Sequence, residues 1–429
     1  MLFEHIKWKA YCCGIAMSWL LSQKTESMGK VEREMIDYRA YRDELIALRR
    51  HFRQCPELSL QEKATSAYVE RYLTDLGLQV KRVGEYGLTA MIWAEQSASV
   101  QTDRPTVAVR AEMDAIAVPD QLATPWKSRN DGVCHACGHD ANIATVLVLA
   151  KICVEHQTEL PVNVKLMFQQ AEENGEGTAL MLNAGIMRDP TVDYFVMIHY
   201  ANDAPDGMEL HKGASSAAIG RMRLTVRGKS AHWLNAGMGI DSIDTAGRII
   251  EAIRELNATY QSPSPFIVGL GTIAGGTARN VIAGETVMEG TLRACRLDDY
   301  HRLRSLLAER CAAVARETGA AIDVDVEPDP VPPIISDGEL VDIGLAVGRP
   351  IWGKDCRLSD VEYLSGDSAA RYFDYARGIF FVFTAVRSGE PAYPLHNGSF
   401  DFDDSMMWKA VACLHRFLLQ LGGEGAVIA

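Results

Sequence analysis

Apolar residues recur at helical spacing over residues 38–52, and a second pattern of the same period, over 62–76, stops at Gly77. Cys55-Pro56-Glu57 breaks the chain between them. Residues 106–110 (TVAVR) are short and β-branched, which predicts a buried strand delivering Glu112 and Asp114 just past its carboxyl end. Residues 143–153 are apolar nearly all round and predict a buried helix. The next strand, 162–168 (VNVKLMF), runs directly into Gln169, Gln170, Ala171, Glu172 and Glu173. A short helix over 178–183 then leads to a third strand, 194–198, which ends at His199. Strands that alternate with helices predict a parallel, doubly wound sheet, whose ligands collect at the carboxyl ends of its strands.

Near Ser215 the pattern changes. Residues 221–227 (RMRLTVR) alternate polar and apolar, as a half-exposed antiparallel strand does. A helix over 241–256, a strand at 266–270, the turn Gly275-Gly276, a strand at 286–294, a helix over 298–317 and a strand at 321–326 follow. That order, β-α-β-β-α-β, is the ferredoxin-like split pattern. Residues 328–333 (PDPVPP) read as the exit linker, after which a helix near 338–347, a strand at 379–384 and a loop bearing His396 return to the first style. The fold expected is α/β: a doubly wound, mostly parallel sheet domain in two pieces, 37–217 and 330–429, with an inserted ferredoxin-like α+β domain at 218–329 and an N-terminal extension at 1–36.

A chain of 429 residues, 48% hydrophobic, is long enough for two or three cores. Its formal charge of -13 and pI near 5.4 leave no footprint for nucleic acid. A small-molecule substrate is the expected partner, with neither nucleic acid nor membrane. Ten irregularly spaced cysteines read as a reduced, cytoplasmic protein rather than a disulfide scaffold. Lys7 and Lys9 before the mostly apolar stretch 10–21 superficially copy a signal peptide. Glu4, the interrupting Cys12 and Cys13, and the lack of a small-residue cleavage site argue instead for a short extra helix or an over-long start, with Met28 as an alternative first residue.

The densest chemistry lies at 134–140, Cys-His-Ala-Cys-Gly-His-Asp. Cys137 and His139 are two apart, and an extended or tightly turned segment sends both side chains to one side, with Gly138 permitting the turn. The pair thus suits a metal; a C-x-x-C redox pair or simple packing of Cys134 and Cys137 is the alternative. In extended chain Glu172 and Glu173 face opposite ways, so that one can bind a metal while its neighbour handles a proton.

Several segments together resemble the metal-dependent aminoacylase and carboxypeptidase family, in its branch of hippurate, N-acyl-amino-acid and indoleacetyl-amino-acid amidohydrolases. They are residues 49–58 (RRHFRQCPEL), 110–119 (RAEMDAIAVP), the intact HACGHD of 135–140, residues 168–173 (FQQAEE), and the later motifs at 228–232, 275–282 and 290–293. The resemblance implies metal ligands at Cys137, His139, Glu173, His199 and His396, holding one or two divalent transition-metal ions, among manganese, zinc, cobalt and nickel. It implies Glu172 as general base, with Asp114 also in the catalytic group. The inserted domain becomes a lid, whose His232 crosses a dimer interface to stabilise the oxyanion, so a homodimer, or a higher oligomer built from dimers, is expected. Asn280 matches a substrate-binding asparagine of that lid, and Arg293 is a further candidate. Trp233, beside His232, and Tyr200, beside His199, are expected to form an aromatic wall.

Departures from the family pattern surround that ligand set. Glu112 stands where this branch has Asp and is expected to reach toward the metals; Asn142 stands where the branch often has His. Arg53 replaces a histidine, Ala283-Gly284 a Pro-Asp pair, and His396-Asn397-Gly398 a His-Ser-Pro. The resemblance implies hydrolysis of an N-acyl or N-aroyl amino acid. The altered wall keeps open an alternative, hydrolytic deamination of an activated aromatic amine such as 5-nitroanthranilate with release of ammonia. A non-catalytic binding role is disfavoured, because Glu172 and all five ligand positions are present.

Overall fold

The computed structural model of the chain describes residues 36–94, 104–387, 389 and 391–421; the reading of residues 1–35 lies outside them. Two sheets organise the body of the chain, one eight-stranded and one four-stranded. Helices α1 (Arg42–Gln54) and α2 (Lys63–Asp75) precede a hairpin of β1 (Val80–Val83) and β2 (Gly87–Ile92), and then β3 (Thr106–Glu112) begins the central part. Helix α3 (His139–Glu155), β4 (Asn163–Gln169), α4 (Glu176–Asn183), β5 (Tyr194–Ala201) and β6 (Gly207–His211) follow. Every residue of β3 and of β4 is buried, as expected of strands covered on both faces. The apolar α3 lies against the sheet, between α1 and the C-terminal helix α8 (Met407–Gln420).

With α7 (Gly338–Trp352), β11 (Cys356–Ser359) and β12 (Arg377–Thr384) supplied by the last part of the chain, the large sheet has the order β1-β2-β4-β3-β5-β12-β6-β11. The neighbours β4-β3, β3-β5, β5-β12 and β6-β11 are parallel. β1, β2, β6 and β11 escape the sequence pattern. Residues 80–83 and 356–359 are mostly half-exposed, with none of the apolar run or alternation that marks a strand.

The small sheet holds β7 (Ala218–Arg227), β8 (Phe266–Gly275), β9 (Glu285–Ala294) and β10 (Ala321–Val326) in the order β10-β7-β9-β8, all antiparallel. Helices α5 (Ser242–Thr259) and α6 (Leu297–Thr318) lie on one face, around Leu224, Val226, Ile249, Leu292, Leu303 and Leu307. This is the ferredoxin-like arrangement expected from the sequence. Asp241 caps α5 by accepting hydrogen bonds from the N–H groups of Ile243 and Asp244, which fixes the start of the helix where an Asp before an apolar period places it.

Candidate metal centre

Three strand ends of the large sheet converge on one group of donors. Gly138, at φ +83°, is the N-cap of α3, and the left-handed turn there sets Cys137 and His139 side by side. The Nδ1–H of His139 donates to the carbonyl oxygen of Asp114 at 2.8 Å, and the Nδ1–H of His199 donates to that of Tyr200, also at 2.8 Å. Both imidazoles therefore carry their proton on Nδ1 and offer Nε2 as a lone-pair donor. Nε2 of His199 lies 3.6 Å from Cys137 Sγ, and Nε2 of His139 lies 3.9 Å from Glu172 Oε2 and 3.9 Å from Glu173 Oε1. His396, at the exposed mouth, approaches Glu173 Oε2 at 3.6 Å. Cys137, His139 and His199 form one set whose ligand atoms lie within 4.8 Å of one another; Cys137, Glu173 and His396 form a second, and His139, Glu172 and Glu173 a third.

The two glutamates do not point to opposite sides. Ala171 has φ +54°, so the chain leaves β4 in a turn rather than as extended backbone, and both carboxylates aim at His139. A left-handed alanine costs about 1–2 kcal/mol, and neighbouring bonds hold it in place. Gln170 Oε1 accepts from the N–H groups of Tyr86 and Gly87 at 2.5 and 2.7 Å, and Gly177 N–H donates to Ala171 O at 2.9 Å. A side chain at Gly177 would sit 1.7 Å from Gln170 O, so only glycine closes this turn. Asp114 Oδ2 accepts from Glu173 N–H at 2.9 Å and from the Ser59 hydroxyl at 2.7 Å. Burial alone would raise the Asp114 carboxyl, but His139 and those donors outweigh it and hold it at about 2.

Beneath the donors lies a charge layer that the sequence reading missed. Arg110 is fully buried; its Nη1 donates to Glu112 Oε1 at 2.5 Å and to Asp367 Oδ2 at 2.7 Å, and its Nε donates to Gln169 Oε1 at 3.1 Å. Glu112 Oε2 accepts from Asn142 Nδ2 at 2.9 Å. Both oxygens of Glu112 are thus committed to Arg110 and Asn142, and the expectation that it reaches toward the metals gives way to a pairing of two departures from the family pattern. Burial first, and then the charge of Asp367, push the carboxyl of Glu172 well above its usual range. A buried arginine at the end of an apolar strand demands carboxylate partners, which was the available signal; that one partner is Asp367, in a distant loop, was not legible.

Arg53, the substitute for a family histidine, is buried and bridges Asp120 at 2.9 Å and the carbonyl of His135 at 3.0 Å, bracing the loop that carries Cys137. Arg49, also buried, ties Asp140 to Asp401 and Asp404. Cys134 is buried and unbridged, its backbone paired with Ile116.

The expected aromatic wall does not form. Tyr200 alternates to the opposite face of β5 from His199, where its hydroxyl meets Thr145 at 2.8 Å and its ring stacks on Phe402. Trp233 is 52% exposed. His232 and Asn280 are also exposed, on the small-sheet unit, where His232 pairs with Val281 and accepts the N–H of Leu234 at its own Nδ1. Arg293, on β9, donates to the carbonyl of Leu364 at 2.8 Å. None of these four belongs to the donor sets named above.

A divalent ion fits the group on this chain's own evidence. The donors are a thiol, imidazoles and carboxylates of the kinds that transition metals take. Glu173 Oε1 and Asp114 Oδ1 are buried with no hydrogen-bond partner. Burial opposes charge on the His139 imidazole, and Cys137, Asp114 and Glu112 outweigh it to raise the group.

Comparison with known proteins agrees with this site. The chain is 30% identical over 399 residues to thermostable carboxypeptidase 2 of Saccharolobus solfataricus, covering 91% of this chain and 98% of that one. It is 28% identical over 386 residues to the N-acetyl-L-cysteine deacetylase of Bacillus subtilis, with 89% of each covered. The solved structure of the Bacillus subtilis YXEP protein, described as a dinuclear metal binding peptidase from the M20 family, superposes with a TM-score of 0.76 at 25% identity, over 89% of this chain and 98% of that one. The family model for peptidase family M20/M25/M40 matches residues 108–420, the span that carries all five candidate ligands, and the chain is an amide-hydrolysing enzyme of that family.

Proposed function

We propose that this chain is a metal-dependent amidohydrolase that splits an N-acyl or N-aroyl amino acid into an acid and an amino acid. The observation that carries the reading is the convergence of Cys137, His139, Glu173, His199 and His396 beside a sixth, protonatable group, Glu172. A divalent transition-metal ion held by those five would supply Lewis acidity to the attacking water and to the carbonyl. Glu172 takes the proton of that water at its carboxylate and returns it to the leaving nitrogen; its burial beside Asp367 favours a carboxyl able to hold the proton between the two steps. Asp114 fixes the pieces, its carbonyl orienting His139 and its carboxylate holding Glu173 N–H.

The lid reading of the small-sheet unit, residues 218–329, belongs to the same proposal. His232 and Asn280 are its candidate substrate contacts, and Arg293 positions the loop at Leu364. Exposed Ile267 and Ile273 on β8, the edge strand, support a second copy of the chain as the neighbour of this edge. The test is a metal-loaded screen with manganese, zinc, cobalt or nickel, on N-acetyl-L-cysteine, hippurate, indoleacetyl amino acids and aromatic amines including 5-nitroanthranilate. Release of a free amino acid from an acyl amino acid is expected. Ammonia from an aromatic amine, with no acyl amino acid cleaved, replaces the amide reading with deamination.

A further inference from the structure

The turn that carries the two glutamates is braced by a residue outside every motif discussed so far. Glu62 is fully buried, and its Oε1 accepts the N–H of Ala171 at 2.6 Å. Ala171 is the non-glycine residue at φ +54° whose turn sends Glu172 and Glu173 to the same side. The short loop before α2 that holds Glu62 is itself docked on the site. Ala115 N–H donates to Glu57 O at 2.8 Å, Leu58 pairs with Ala115, and the Ser59 hydroxyl meets Asp114 Oδ2 at 2.7 Å. Leu60, between Ser59 and Glu62, is a second non-glycine residue in the left-handed region, at φ +62°. One loop therefore grips both carboxylate carriers: Ser59 holds Asp114, and Glu62 holds the backbone one residue before Glu172. Other bonds hold this turn through the Gln170 side chain and through the Ala171 carbonyl, which accepts the Gly177 N–H. Among the described residues, Glu62 is the side chain that accepts the amide of the left-handed residue itself.

We propose that Glu62 is a positioning residue for the metal centre: by holding the amide of Ala171 it fixes the left-handed turn that presents Glu173 as ligand and Glu172 as base. This rests on the metal-dependent reading above. Removing the acceptor leaves a buried N–H without a partner and lets Ala171 relax toward ordinary backbone, which swings the two carboxylates apart. The other carboxylate oxygen, Oε2, is buried with no hydrogen-bond partner, and a neutral amide keeps an oxygen able to accept the Ala171 N–H. Burial pushes the Glu62 carboxyl up to about 7, which makes glutamine a close mimic of its protonated form.

The probe is Mn²⁺ binding to the metal-free full-length chain, read from the loss of the free-ion electron paramagnetic resonance signal. Groups that support a ligand typically contribute 10–100-fold to metal affinity, so Glu62→Ala is expected to bind Mn²⁺ at least about tenfold more weakly than the parent. Glu62→Gln, which keeps an oxygen at the same place, should stay within about threefold. On the best substrate of the screen, kcat should fall with Glu62→Ala while KM moves by less than about threefold, because the turn carries the base and not the substrate contacts. A purely stabilising role would lower the melting temperature of the metal-free protein without separating the two variants in Mn²⁺ affinity. Should Glu62→Ala not fold, Glu62→Asp, which withdraws the oxygen by one methylene, is expected to be about tenfold weaker. Parental affinity in Glu62→Ala or Glu62→Asp, or equal loss in Glu62→Gln and Glu62→Ala, overturns the proposal. If the parent chain binds none of Mn²⁺, Zn²⁺, Co²⁺ and Ni²⁺, the metal reading fails and this proposal with it; if the parent binds and hydrolyses while the variants are unaffected, only the role of Glu62 is lost.

Discussion

The eight-stranded and four-stranded sheets, with the loops they carry, offer candidate polar groups in opposite conditions. At the carboxyl ends of the large sheet the donors are pinned: His139 and His199 by backbone carbonyls, Glu173 through its own amide, and Arg110 by Glu112 and Asp367. On the small sheet, His232, Trp233 and Asn280 face outward, with Leu234 at 85% exposure and Met238 at 66% beside them. Preorganisation of the first kind suits an ion, which needs fixed donors and gains nothing from donors that must be collected. Exposure of the second kind suits groups completed from outside, by substrate or by another chain. On the proposed reading, the reaction is divided between a rigid half that activates water and an open half that meets the substrate.

The sharpest way to break this division is Glu172→Gln. If the pinned half holds the base, activity should fall by at least about a hundredfold while metal stoichiometry is unchanged, and an active glutamine variant would remove the base from the scheme. Next in size is the contrast between two cysteines of one loop. Cys137→Ser should weaken metal binding by at least about tenfold and abolish the thiolate-to-metal charge-transfer absorption of the cobalt-loaded protein, whereas Cys134→Ser should keep both. Equal spectra from the two variants would take Cys137 out of the donor set. The smallest signal tests the open half. Glu172→Gln and His232→Ala, each inactive alone, should restore about a quarter of parental activity when unfolded together and refolded, because about half of the dimers are mixed and each mixed dimer has one intact site. Dimeric mixtures that stay inactive would place His232 in service of its own chain.

The sequence made part of this legible because the information was local. Seven positions, 134–140, carry two donors and the glycine that turns them, and the runs TVAVR and VNVKLMF announce the buried strands β3 and β4. The order β-α-β-β-α-β likewise sufficed for the small sheet. What escaped was nonlocal or conformational. Arg110 and Asp367 are 257 positions apart, and nothing within either segment points to the other. The left-handed turn at Ala171 hides behind a residue that ordinarily avoids it, so sequence alone predicts extended chain at the glutamates. Adjacency of Tyr200 to His199 in sequence suggests a shared wall, whereas strand alternation sends the two side chains to opposite faces.

The position of β12 bears on the history of the chain during synthesis. Residues Arg377–Thr384 lie between β5 and β6, in the interior of the large sheet, and pair with β5 along its length from Tyr194 to Ala201. His396, Asp401 and Asp404 come later still. On the ribosome, β5 therefore presents an unpaired edge with its hydrogen-bonding groups open until the last part of the chain emerges. Arg49 likewise waits for Asp401 and Asp404, carboxylates made 352 and 355 positions later. A chain stopped before Arg377 already holds every strand of the small sheet, between residues 218 and 326, while the larger sheet still lacks an interior strand and the fifth candidate ligand. The candidate donor set is therefore complete only once His396 has been made, long after Cys137 and His139.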